Sequence, residues 1–207
     1  MKAEPSLAPL KIARMSGSES FHQDGRSIGF DVLDFWGWST SDLVSNTTRG
    51  IVAEYIVAKA LGVPTDQARE EWGSFDLCTG SGLRIEVKSS AYLQTWDQSR
   101  LSTIQFVVPK RLGWDPQTNK WETAARRHAD VYVFALLAHT DKPTLDPLNL
   151  DQWQFWAVST RDLDERSRSQ HSITLRSLRN LAGDPVDFSN LTAAIEQAAY
   201  RAKGDHV

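Results

Sequence analysis

At 207 residues, with 23 Lys and Arg against 26 Asp and Glu, the chain has the length for one globular domain with its own core. A charged fraction of 24% beside a hydrophobic fraction of 41% excludes wholesale disorder, no run approaches the apolar length of a membrane span, and the start lacks the apolar core of a signal peptide. A lone cysteine, Cys78, excludes an internal disulfide framework and a cysteine-rich zinc site, so the expected setting is soluble and cytoplasmic, away from membranes.

Residues 1–27 are rich in Ser, Gly, Pro and Ala without apolar periodicity and read as a loose N-terminal arm to a single domain over 28–207. GFDVLDFWGW (29–38) reads as a strand or an extended lead-in. Ser45 or Asn46 then offers an N-cap for a helix running to about Leu61, with Ile51, Tyr55 and Ala58 facing the core beside Val52 and Ile56. Gly62 and Pro64 stop it.

Two short strands are predicted at about 74–79 and 83–89, around Gly80-Ser81-Gly82, and a third at 103–108. A short helix is predicted near 120–128, capped by Asn119. DVYVFALLA (130–138) has the continuous apolar character of a strand buried on both faces. Another strand at 152–159 and an amphipathic helix at 190–202 close the chain. The expected class is α/β, a single domain with a mixed central β-sheet flanked by helices.

The chemistry concentrates in FDLCTGSGLRIEVKSS (75–90). Leu83, Ile85 and Val87 alternate with Arg84, Glu86 and Lys88, so Glu86 and Lys88 project to one face. A three-residue loop, 80–82, pairs Cys78 with Arg84 and Asp76 with Glu86, whereas a four-residue loop would turn Asp76 the other way. Gly82 sits where three-residue hairpins need a left-handed residue, which favours the first register. Two adjacent carboxylates repel, and a hard divalent cation bridging them relieves the repulsion; oxygen ligands favour Mg²⁺, or Mn²⁺, over Zn²⁺. A lysine two residues along is placed to hold an attacking water or to stabilise charge on phosphorus. Glu54, on the edge of the helix stripe, offers a third carboxylate.

A helix bearing Glu54, then Asp76, then Glu86-Val87-Lys88 on a strand resembles the PD-(D/E)XK nuclease superfamily over residues 46–138. Phe75 stands where the namesake pattern has proline. The resemblance implies a restriction-endonuclease-like fold and Mg²⁺-dependent hydrolysis of DNA. Asp76 and Glu86 would bind the metal, Lys88 would serve the attacking water, and Glu54 would match the helix glutamate of many members. A homodimer would let such an enzyme cut both strands. The rival reading is a non-catalytic nucleic-acid-binding or regulatory module that keeps the fold.

A net charge of −3 does not by itself suggest a nucleic-acid partner. It is unevenly spread: residues 1–83 carry −4, residues 84–127 carry +4 and residues 128–207 carry −3. Phosphates would meet the basic middle block, where Arg126, Arg127 and His128 are candidates, and Trp96 and Trp114 are candidates for stacking on bases. The histidines show no zinc spacing, and Cys78 reads as a small packed side chain.

Overall fold

A computed structural model of the chain describes residues 10, 12–71, 73–115 and 120–203. It holds two compact units, Met1–Ser41 with Pro64–Arg69, and Asp42–Val63 with Glu70–Val207. Among the described residues no helix is long and apolar enough to cross a membrane.

In the smaller unit, β1 (Ser20–Gln23) and β2 (Arg26–Asp31) pair antiparallel, so a hairpin begins inside the stretch read as a loose arm. Its turn is Asp24-Gly25, both at positive φ, the chemistry that a two-residue hairpin loop requires. α1 (Val32–Thr40) follows where a strand or extended segment was expected. Asp31 is the reason: its carboxylate accepts the Asp34 N–H at 3.0 Å and the Asp34 carboxylate accepts the Asp31 N–H at 3.1 Å, a reciprocal cap.

The larger unit opens with α2 (Asn46–Ala60), capped by the Ser45 side chain and ended through Gly62 at φ +63°. Its buried residues are Arg49, Ala53, Ile56, Val57 and Ala58. Ile51 and Tyr55, expected in the core, are exposed, and the Lys59 ammonium lies 5.1 Å from the centre of the Tyr55 ring. After α2 come β3 (Leu77–Cys78), β4 (Arg84–Ala91), β5 (Gln105–Val107), β6 (Trp114–Asp115), β7 (Lys120–Trp121), β8 (Val131–Leu137) and β9 (Trp153–Ser159). α3 (Thr160–Asp164), β10 (Ser172–Thr174), α4 (Leu175–Ala182) and α5 (Phe188–Lys203) complete the unit.

The central sheet has the order β3-β4-β8-β9, with β4 and β8 parallel and the other neighbours antiparallel, as expected for a mixed sheet. Every residue of β8 is buried. Val131, Val133, Ala135 and Leu137 join Ile85 and Val87 under α2 and α5, while Tyr132, Phe134 and Leu136 join the second core with β5, α3, β10 and α4. Fully burying each large apolar side chain stabilises the fold by about 1.5–3 kcal/mol, so β8 is the central beam. Arg84 and Asp130 lock β4 to β8 at their starts: the Arg84 backbone N–H, Nε and Nη2 all donate to the Asp130 carboxylate, at 3.0, 3.1 and 2.5 Å. Trp153 and Trp156 are buried on β9.

Residues 120–128 form no helix. Lys120–Trp121 is β7, paired with Trp114–Asp115, and Arg111 and Arg126 extend the pairing as an isolated bridge. Two facing tryptophans, with ring centres 5.1 Å apart, fix this hairpin where helix propensity alone would have been weak. The expected cap Asn119 lies outside the described residues. Cys78 is exposed, because the two-residue β3 is an edge strand with little to cover it.

Candidate active site

The hairpin of β3 and β4 has the three-residue loop. Leu77 pairs with Ile85 and Cys78 with Arg84, and the Thr79 N–H donates to the Leu83 carbonyl at 3.0 Å. Gly82 lies at φ +82°, a conformation that costs an L side chain about 1 kcal/mol or more. The ladder extends one step below β3, where the Asp76 N–H donates to the Ile85 carbonyl at 3.0 Å. Ile85 and Val87 enter the core under α2, so Glu86 and Lys88 emerge on the opposite face of β4.

Asp76, Glu86 and Lys88 all border one cavity of about 580 Å³. Asp76 Oδ2 accepts the Val87 N–H at 2.7 Å, and Glu86 Oε1 accepts from Lys88 Nζ at 2.5 Å. Each carboxylate therefore has one oxygen fixed by the protein and a second that makes no hydrogen bond among the described residues. The Glu86 side chain is 15% exposed. Its carboxyl is pushed above the usual range, first by burial and also by the Asp76 charge, against the lowering effect of Lys88. An oxygen-only donor pair strained by mutual repulsion suits a hard divalent cation.

Glu54 is half-buried on α2, which packs against the other face of β4, and it does not border the cavity. Among the described residues no three His, Cys, Asp or Glu side chains gather as a metal cage. The structure thus brings together Asp76, Glu86 and Lys88, and leaves Glu54 outside.

Part of the cavity's far wall comes from residues 120–128, misread as a helix, and part from residues 111–114 before them. Arg111, Trp114, Trp121, Arg126 and His128 line the same cavity as the carboxylates, and the Arg111 charge acts on Glu86. The Arg111 and Arg126 backbones exchange hydrogen bonds of 3.0 Å in both directions, and His128 Nε2 donates to the Arg111 carbonyl at 3.0 Å. Arg126 is paired with Glu122 at 2.8 Å. Of the other candidates, Arg127 is buried, bonded to the Val108 carbonyl, Asp164 and Gln170, and so holds the fold rather than a ligand. Trp96 lies outside the wall.

Tyr132 is the residue that sequence reasoning missed. It pairs in parallel register with Glu86 and borders the cavity from β8. Burial, followed by the Glu86 charge, raises its phenol well above the ordinary tyrosine value, so it is a donor and not a phenolate. An alternating apolar and aromatic run such as VYVFALL gives no hint of which tyrosine meets solvent; only the pairing with β4 does.

Residues 32–177, which contain the hairpin, the far wall and β8, match the family model described as bacteriophage T4 endonuclease IV. The chain belongs to this endonuclease IV family. A family of nucleases agrees with a cavity lined by two carboxylates, a lysine and arginines. No curated protein matches the chain significantly.

Proposed function

We propose that this chain is a Mg²⁺-dependent DNA endonuclease with a PD-(D/E)XK-type site, Mn²⁺ serving in place of Mg²⁺. The observation that carries the proposal is the common face of Asp76, Glu86 and Lys88 on one cavity, within the stretch that matches the endonuclease IV model. The free oxygens of Asp76 and Glu86 would hold the cation. A bound Mg²⁺ supplies neutralisation of phosphate charge and a lowered water pKa.

The chain's own residues supply the rest. The Val87 N–H holds Asp76 in place, and Lys88 opposes the upward push that burial gives the Glu86 carboxyl. When substrate enters, the Lys88 ammonium is in position to donate from Nζ to the attacking water or to an oxygen on phosphorus. Attack of that water makes one P–O bond and breaks another, leaving a phosphate monoester and a hydroxyl. The basic far wall lowers the cost of bringing a polyanion to two carboxylates. Glu54 is assigned no step.

The test is a cleavage screen over single-stranded, double-stranded and branched DNA with Mg²⁺, Mn²⁺ or EDTA, with Lys88→Ala as control. Metal-dependent cleavage that Lys88→Ala abolishes is the expected result. Cleavage in EDTA, or an active Lys88→Ala, would overturn the assignment. DNA binding with no cleavage under any metal would favour the non-catalytic module.

A further inference from the structure

The fold leaves two polar side chains of the cavity without partners. Lys88 is paired with Glu86 and Arg126 with Glu122, whereas the Arg111 guanidinium has no ion-pair or hydrogen-bond partner among the described residues. Tyr132 is only 4% exposed, yet its hydroxyl makes no hydrogen bond among the described residues. The residue lines the cavity and its oxygen is not among the sealed, unsatisfied atoms, so the hydroxyl is open to a ligand that accepts a hydrogen bond. An unpaired cation beside it favours one that is also an anion.

We propose that Arg111 and the Tyr132 hydroxyl form a phosphate subsite that grips the non-bridging oxygens of the phosphodiester under attack. The inference rests on the nuclease reading of the same cavity. Arg111 is well suited to the task because its backbone is fixed on three counts, by two bonds to Arg126 and one from His128. Its planar fork offers parallel donors matched to phosphate oxygens. Tyr132 approaches from the floor, in register with Glu86, so a phosphate held between Arg111 and Tyr132 would lie beside the carboxylate pair. A tyrosine phenol is protonated at neutral pH, which suits it to donate and unsuits it to attack. These two donors would stabilise the anion beside the charge that a cation held by Asp76 and Glu86 would neutralise.

The experiment uses the full chain and a short fluorescein-labelled oligonucleotide. Anisotropy is read in EDTA over a salt series, so no metal or turnover enters the measurement. Arg111→Ala should weaken binding about tenfold and flatten the dependence of log K on log salt by about one. Arg111→Lys should keep the salt slope, because it keeps the charge, while losing about tenfold in single-turnover cleavage with Mg²⁺ for want of the fork. Tyr132→Phe should melt at the wild-type temperature and cleave about tenfold more slowly, the loss of one hydrogen bond to a charged group. Wild-type affinity and slope in Arg111→Ala, or a wild-type rate in Tyr132→Phe, would overturn the subsite.

Asp76→Asn separates this inference from the one beneath it. If Asp76→Asn binds but does not cleave, the nuclease reading stands, and wild-type binding by Arg111→Ala then sinks the subsite alone. If Asp76→Asn still cleaves, the assignment of the metal site to Asp76 and Glu86 fails whatever Arg111→Ala does.

Discussion

The Asp76 carboxylate accepts the backbone N–H of Val87 at 2.7 Å, which ties the segment before β3 to the strand residue lying between Glu86 and Lys88. One side chain thus serves the hairpin with one oxygen and faces the cavity with the other.

That double duty predicts a split between two variants. Asp76→Ala should lower stability by about 1–3 kcal/mol, the range for leaving a buried donor unsatisfied. Asp76→Asn keeps an acceptor oxygen for the Val87 N–H and should lower stability much less. Both should lose metal-dependent cleavage. Urea denaturation beside a cleavage assay checks the pair, and equal destabilisation of the two would show that the hydrogen bond contributes little to the fold.

Lys88→Ala removes the charge that counters the burial-driven rise of the Glu86 carboxyl. Cleavage should fall by about 10²-fold or more, as for loss of a positioned proton-transfer group, with circular dichroism unchanged. Glu54→Gln provides the contrast. Outside the cavity, it should cost less than about tenfold, a difference of under ~1.4 kcal/mol in the barrier. A loss from Glu54→Gln as large as that from Lys88→Ala would mean that the helix glutamate reaches the reacting centre.

Two carboxyl groups should respond to pH with opposite sign. Glu86 is raised in the folded state, chiefly by burial, so the folded metal-free chain binds a proton more tightly than the unfolded one. Its contribution is favourable in acid and is lost as pH rises through the raised value. Asp130 is lowered, chiefly by its hydrogen bonds from Arg84, so its contribution is present above the ordinary aspartate value and is lost as pH falls through the lowered one. Melting temperature against pH in EDTA should show Glu86→Gln gaining relative to wild type toward neutrality. Asp130→Asn should lose relative to wild type at neutral pH, and that deficit should close in acid.

Gly113 supports the far wall through its lack of a side chain. A Cβ there would stand 2.6 Å from His128 Cε1 and 2.9 Å from Glu122 Cδ. Glu122 can move only by giving up its ion pair with Arg126, and the His128 ring is buried and bonded to the Arg111 carbonyl. Gly113→Ala should therefore cost about 1–3 kcal/mol through overpacking and should also slow cleavage by shifting Arg111. An unchanged melting temperature would mean that the wall yields freely.

The sequence made the hairpin legible because its information there is local. Alternation in 83–88 fixed the face, and Gly82 fixed the loop length and hence the register that aligns Asp76 with Glu86. The α2 face was less legible, since Ile51 and Tyr55 are apolar by type but sit on the exposed side, Tyr55 beneath Lys59. The far wall was least legible. Its tryptophans form a hairpin whose partner strands are separated by residues 116–119, and Tyr132 becomes a cavity residue only through a parallel pairing with a strand more than forty positions earlier. Periodicity within one segment carries no record of such pairings.

Parallel pairing of β4 with β8 also sets when the cavity can first exist during synthesis. When the hairpin bearing Asp76, Glu86 and Lys88 leaves the ribosome, the strand that supplies its floor has not yet been made. The far wall between them has nothing to close against until Val131–Leu137 emerges and the Arg84–Asp130 lock forms. Chains released early, before about residue 130, carry the three charged side chains but no enclosure around them. The candidate site is thereby incomplete until most of the chain has been translated.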